Sequence, residues 1–189
     1  MKKVLLVLPI FLCFCGCRKT QSEYLISAIG FDNNGGMLNT CFEAVIINSE
    51  TQSEELKIIE VQGETVEECV KNLSRKSTQG YLLSHCGVLI IGQSVTEKQL
   101  NGIYDFCLKN PDITLSVLLA ETENAKMLLS GKPVSTISVG YDIMWLIKQY
   151  SENRNINFKN RYFEIISQSE KPPLPKIQPI SEGYYLENY

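Results

Sequence analysis

Tyr81-Leu82-Leu83-Ser84-His85-Cys86-Gly87-Val88-Leu89-Ile90-Ile91-Gly92 is the stretch that decides the fold. Val88 to Ile91 is too apolar for a strand with one face in water, so Tyr81 to Ile91 reads as a buried strand that Gly92 ends. A helix begins near Ser94 to Thr96. Its stripe of Leu100, Ile103, Tyr104, Cys107 and Leu108 stops at Asn110-Pro111, where proline cannot continue a helix interior. Ile113 to Ala120 follows as another strongly apolar strand. Two strands joined through such a helix form a candidate right-handed parallel βαβ unit.

Upstream, Tyr24 to Phe31 reads as a strand, Asp32-Asn33-Asn34-Gly35-Gly36 as a turn, and Met37 to Asn48 as the antiparallel hairpin partner. Glu54 to Gln62 supplies a third strand, which Gly63 breaks. Thr65-Val66-Glu67-Glu68 has capping-box order, and Val66, Cys69, Val70 and Leu73 recur at helical spacing, so a helix is expected to about Gln79. Downstream, Asn124 to Ser130 reads as a short helix closed by Gly131-Lys132-Pro133. Ser138 to Glu152 reads as a longer one, with Ile143, Leu146, Ile147 and Tyr150 on one face, and Phe158 to Ser167 as one more. Lys171-Pro172-Pro173-Leu174-Pro175 must be extended, which makes Leu174 to Tyr189 a linker and terminal strand. The expectation is an α+β fold: a mixed β-sheet with an N-terminal antiparallel hairpin and a βαβ-like unit, covered by helices. One domain spans 24–171, and 172–189 is an extended linker or strand leading to a further domain absent from this chain.

The N-terminus carries a different kind of signal. Met1-Lys2-Lys3 is a basic start, and Val4 to Cys15 is an apolar run that ends at Gly16-Cys17. About 20 apolar residues are needed to span a bilayer as a helix, whereas secretory signals use roughly 7 to 15, so residues 1–16 read as a signal peptide. Phe14-Cys15-Gly16-Cys17 resembles a bacterial lipobox, with Phe14 where leucine is usual. That resemblance implies cleavage after Gly16 and a diacylglyceryl thioether on Cys17, followed by a tether over 17–23. The expected location is membrane, lipid-anchored, on an extracytoplasmic face, because two acyl chains hold far more durably than one.

Removal of Lys2 and Lys3 leaves 16 basic against 21 acidic side chains, a formal charge of −5 that repels phosphate backbones. No nucleic-acid partner is expected. Cys13 and Cys15 leave with the signal and Cys17 would be acylated, which leaves Cys41, Cys69, Cys86 and Cys107, and four thiols permit three full pairings. Each sits at an apolar position of a helix or strand pattern, which favours buried free thiols over disulfides. With no Cys-x-x-Cys pair after the signal and His85 the one histidine, no metal site is expected.

Catalytic motifs are missing too: the chain has no Gly-x-Ser-x-Gly elbow, no His-Glu-x-x-His and no phosphate-cradling loop. No catalytic residue and no cofactor is assigned, and the ligand-binding residues stay unknown. Gly92-Gln93-Ser94 reads as a strand-to-helix connection. His85 is a general base, a pH switch or, preferably, hydrogen-bonded structure at the start of an apolar strand. Glu54-Glu55 and Glu67-Glu68 read as solvated surface, because neighbouring side chains diverge. Arg75-Lys76 complements the negative end of a helix dipole. Trp145, Tyr141 and Tyr150 form either a binding patch or, preferably, core. Tyr184, Tyr185 and Tyr189 would leave apolar surface on a final strand in need of a partner.

Four segments, in this order, resemble the N-terminal domain of the Ger(x)C spore germination lipoproteins. They are Ala28-Ile29-Gly30-Phe31-Asp32, then Leu82 to Gly92 after a helix beginning Glu64-Thr65-Val66, then Asp105 to Ile113, then Pro172 to Ile177. Family members usually follow the lipid cysteine with Trp-Asp, where this chain has Arg18-Lys19, and continue into further domains. The resemblance implies a non-enzymatic C subunit of a germinant receptor in the spore inner membrane, partnered by polytopic A and B subunits in nutrient-triggered spore germination. The residues by themselves leave two other classes open, a lipoprotein that binds an extracytoplasmic solute and a cell-wall enzyme.

Overall fold

The computed structural model describes residues 24–48, 51, 53–76, 80–156, 158–168, 172–181 and 183–187. The signal peptide, its cleavage site, Cys17, the tether and Tyr189 lie outside the described residues.

Strands β1 (Tyr24–Asn34) and β2 (Met37–Asn48) form the expected antiparallel hairpin. Gly35 and Gly36 hold φ of 61° and 93°, the left-handed pair that a two-residue turn between twisted strands requires. β3 (Ser53–Gly63) pairs with β2. Helix α1 (Val66–Ser74) starts at Thr65, whose hydroxyl accepts from the Glu68 amide at 3.3 Å, while the Glu68 carboxylate accepts from the Glu64 amide at 2.8 Å. α1 ends well before Gln79. Arg75 takes the C-cap position, and Lys76 Nζ donates to the Glu60 carbonyl at 2.5 Å.

The strand expected over Tyr81 to Ile91 is two pieces, β4 (Tyr81–Leu82) and β5 (Val88–Gly92), separated by a 3-10 turn at Leu83–His85. Both run parallel to β1, but this segment takes six residue steps, Leu82 to Val88, where β1 takes three, Leu25 to Ala28. The turn absorbs the excess, and the Gly87 amide donates to the Ser27 carbonyl at 2.9 Å to restore the register. Helix α2 (Glu97–Lys109) carries a full capping box between Thr96 and Gln99. β6 (Leu118–Thr122) then pairs parallel with β5, completing the expected βαβ unit. Ile113 to Val117 is not strand, although Ile113 and Val117 are buried: the apolar run signalled burial, not extension.

Helices α3 (Ala125–Leu129) and α4 (Val139–Arg154) follow as expected. The helix expected over Phe158 to Ser167 is confined to α5 (Tyr162–Ile166), because Phe158 to Asn160 runs along β6 instead, with Lys159 at φ 48°. Asn160 donates from its side chain to the Leu119 carbonyl at 2.9 Å, and its own carbonyl accepts from the Leu119 amide at 2.8 Å. The expected single terminal strand is a hairpin, β7 (Ile177–Ile180) with β8 (Gly183–Leu186), which Gly183 at φ 145° helps to reverse.

The result is α+β: a mixed sheet in the order β3-β2-β1-β5-β6, with β4 also beside β1, between two helical layers. α1 and α2 pack with Ile26, Ile29 and Phe31 on one face; α3, α4 and the β7–β8 hairpin pack with Ala28, Val88 and Ile90 on the other. Among the described residues no helix is long and apolar enough to cross a membrane.

Candidate functional site

β1, β4, β5 and β6 all begin at one end of the sheet, called here the entry end. α4 crosses the sheet there and forms a wall of an open groove of about 800 Å³. The groove's other walls come from Cys86-Gly87, from Thr114 to Leu118 at the start of β6, and from Phe158 to Glu164.

What positions α4 is polar. Ser27 is an extra residue in β1, bulged between Ile26 and Ala28. Its hydroxyl donates to Glu43 Oε2 at 2.7 Å, and the Val139 and Gly140 amides at the start of α4 donate to the same carboxylate at 2.7 and 2.8 Å. Glu43 is fully buried, and desolvation raises its pKa, partly opposed by the hydrogen bonds from Ser27, Gly140, Val139 and Ser138. Gly140 is required by proximity: a Cβ there would lie 2.5 Å from the Ala28 Cβ. Asp142 accepts from the Val134 and Ser135 amides at 2.5 and 3.1 Å, pinning the loop that leads into α4.

A second buried carboxylate holds α3. Asp32 accepts from the Ala125 and Lys126 amides, both at 2.9 Å, and it fits because Gly92 has no side chain: a Cβ there would lie 2.0 Å from Asp32 Oδ1. Gly30 similarly lets α3 approach, with Leu129 Cδ1 2.9 Å from where its Cβ would be.

Trp145 stands on the exposed side of α4 between the groove and a second hollow of about 510 Å³ that Val134 and Tyr184 also line. It is 47% exposed, so the expectation that it belongs to the core is overturned: the helix turns this position away from the stripe of Ile143 and Ile147. Lys148 Nζ lies 5.3 Å from the centre of its ring. Tyr150 is half-buried and packs on Phe158 at 5.8 Å, and Tyr141 lies beside Gly87. Lys148 and Arg161 share the groove with Glu152 and Glu164, giving it cations and anions together. Such a surface can hold a mixed polar and apolar ligand or partner.

Of the other sequence candidates Cys86 lines this groove, and the rest are not among its walls. His85 is exposed on the 3-10 turn rather than set in a strand. Glu54, Glu55, Glu67 and Glu68 are exposed. Ser94 accepts from the Asn33 amide at 2.8 Å, as expected of a connection. Cys41, Cys69, Cys86 and Cys107 are buried and free; burial pushes Cys41 and Cys107 up to about 12 and raises Cys69 and Cys86, which suppresses thiolate chemistry. Among the described residues no group of three or more His, Cys, Asp or Glu side chains converges on a possible metal position. The Tyr184 hydroxyl donates to the Lys132 carbonyl at 2.8 Å, Leu186 is buried and Tyr185 stays exposed. Sequence reasoning missed Glu43, Asp32 and Asp142. For Glu43 the available signal was a lone carboxylate inside Cys41-Phe42-Glu43-Ala44-Val45.

Residues 20–179 match the family model described as "Spore germination protein N-terminal domain". The chain belongs to that family. Membership gives this spore germination protein a role in germination and bears out the resemblance carried by its four segments. No curated protein and no solved structure matches the chain. Within the spore germination domain three of the four segments are places of close approach, and the one from Asp105 to Ile113 closes a local turn. Ala28, Gly30 and Asp32 receive α3 and α4, Gly92 makes room for Asp32, Asn110 Oδ1 accepts from the Asp112 amide at 3.0 Å, and the Pro175 carbonyl accepts from the Glu121 amide at 2.9 Å.

Proposed function

We propose that this chain is the lipid-anchored, non-enzymatic C subunit of a spore germinant receptor. A diacylglyceryl group on Cys17 holds it to the extracytoplasmic face of the spore inner membrane, beside polytopic A and B subunits. The observation that carries the reading is the family match, which begins at residue 20, just after the lipobox-like Phe14-Cys15-Gly16-Cys17. Buried high-pKa thiols and carboxylates engaged by helix amides fit a scaffold better than a reaction centre.

Metabolic labelling with a fatty acid tests the anchor: wild type takes label, and Cys17→Ala yields unlabelled precursor or released protein. Co-purification of two polytopic membrane proteins with the labelled chain from detergent-solubilised spore membranes tests the complex. Undiminished label in Cys17→Ala sinks the anchor; a labelled chain that purifies alone sinks the receptor assignment. The groove beside Trp145 supports a second reading, a solute-binding lipoprotein. A small solute recovered with the purified protein would favour it.

A further inference from the structure

We propose that the entry end of the sheet is a membrane-resting surface whose exposed apolar side chains, Leu108, Leu115, Phe163 and Trp145, sink into the lipid interface. This rests on lipidation of Cys17.

Chain length restricts the geometry first. Seven residue steps separate Cys17 from Tyr24, the first residue of β1, so even a fully extended tether holds the start of β1 within about 25 Å of the lipidated cysteine. β1 is eleven residues long, so the far end of the sheet, at the β1–β2 turn, lies roughly 35 Å further along the strand.

Exposed apolar side chains gather at the tethered end. α2 descends from Thr96, near the β1–β2 turn where Gln99 donates to the Gly36 carbonyl, and carries Leu108, 60% exposed, in its last turn. Leu115, 50% exposed, stands in the segment entering β6, and the Phe163 amide donates to its carbonyl at 3.0 Å, bringing exposed Phe163 alongside. Trp145 borders the groove that opens between these segments and α4. Toward the far end the exposed large apolar residues among those described include Met37 beside the β1–β2 turn and Met127 on α3, the helix whose start Asp32 holds.

The chemistry at the entry end suits a lipid interface. Tryptophan with a stacked Lys148, and Lys109 next to Leu108, can place an apolar body in the acyl boundary with the ammonium kept in water. Glu54, Glu152 and Glu164 offset these cations, so apolar insertion drives contact rather than attraction to anionic headgroups. The acyl anchor supplies attachment; the apolar surface supplies orientation.

Trp145 is the sole tryptophan of the chain and reports its own depth. The lipidated full-length protein is placed in phosphatidylcholine vesicles with brominated acyl chains, and fluorescence quenching is compared for wild type, Trp145→Phe/Leu115→Trp and Trp145→Phe/Met37→Trp. These positions are exposed, and matching thermal transitions check that all three proteins fold. Trp145 and the tryptophan at 115 should be quenched about twofold or more over the one at 37, unchanged by high salt. Equal or absent quenching at all three sites, in protein that floats with the vesicles and carries fatty-acid label, overturns this inference and leaves the anchor intact. Quenching that disappears at high salt overturns insertion. Shielding of Trp145 only when polytopic subunits are co-reconstituted assigns the surface to a protein interface instead. Protein without label that fails to float fails the anchor itself, and this inference with it.

Discussion

The two faces of the sheet are covered by different physics. On one, α1 and α2 dock through Val66, Cys69, Leu73, Ile103 and Cys107 onto Ile26, Ile29, Phe31 and Phe42, apolar against apolar. On the other, α3 and α4 also bury apolar stripes, but their first turns are fixed by Asp32 and Glu43, carboxylates driven into the sheet to meet helix amides. Apolar contact tolerates sliding, whereas a buried carboxylate holding two amides fixes one position and is costly to leave unmatched. The groove and Trp145 lie on the carboxylate-fixed side, so geometry there depends on a few polar atoms.

The largest expected effect is from Glu43→Ala, which leaves the Val139 and Gly140 amides and the Ser27 hydroxyl without their acceptor; chemical denaturation should show a loss of about 3 kcal/mol. Next comes Gly140→Ala. Its Cβ would sit 2.5 Å from Ala28 and 2.8 Å from Glu43 Oε2, so α4 must lift away, costing about 2 kcal/mol and altering Trp145 fluorescence. Ile103→Val, on the apolar face, should cost about 1 kcal/mol and leave that fluorescence unchanged. If Ile103→Val moved the Trp145 signal as much as Gly140→Ala, the two faces would not be independent.

A pH series sharpens the contrast further. Burial raises the folded-state pKa of Glu43, so this group favours folding while it is protonated in both states, and the contribution is lost as pH climbs from the ordinary carboxylate range through the raised value. Glu43→Gln has no proton there to lose. The stability gap between wild type and Glu43→Gln should therefore narrow with rising pH across that window, in paired denaturation curves. A gap that widens would mean the ionised form is the one the fold favours. The smallest effect is expected from Trp145→Phe, a substitution at an exposed position that should stay within about 0.5 kcal/mol of wild type.

The apolar face was legible in the sequence. Helical spacing announced Val66, Cys69 and Leu73, and the Thr96 cap and Asn110-Pro111 stop delimited α2. The carboxylate face was not, because Glu43 is one acidic residue in an apolar strand and its meaning lies 96 residues away, at Val139. Trp145 was misread for a related reason: it stands beside the helix's apolar stripe, and only the crossing of α4 over β1 decides which flank meets the sheet.

By itself the sequence determined what is local or periodic. That covers the β1–β2 turn with its paired glycines, the capped helices, the βαβ order and the family-bearing segments, since each depends on neighbours within a few residues or on a repeating pattern. The tertiary structure alone decided the split of Tyr81 to Ile91 around a 3-10 turn, the folding of the last residues into a hairpin, and the burial of Glu43 and Asp32. Those outcomes depend on which distant backbone groups arrive to satisfy a strand edge or a carboxylate, and no spacing within one segment encodes that arrival.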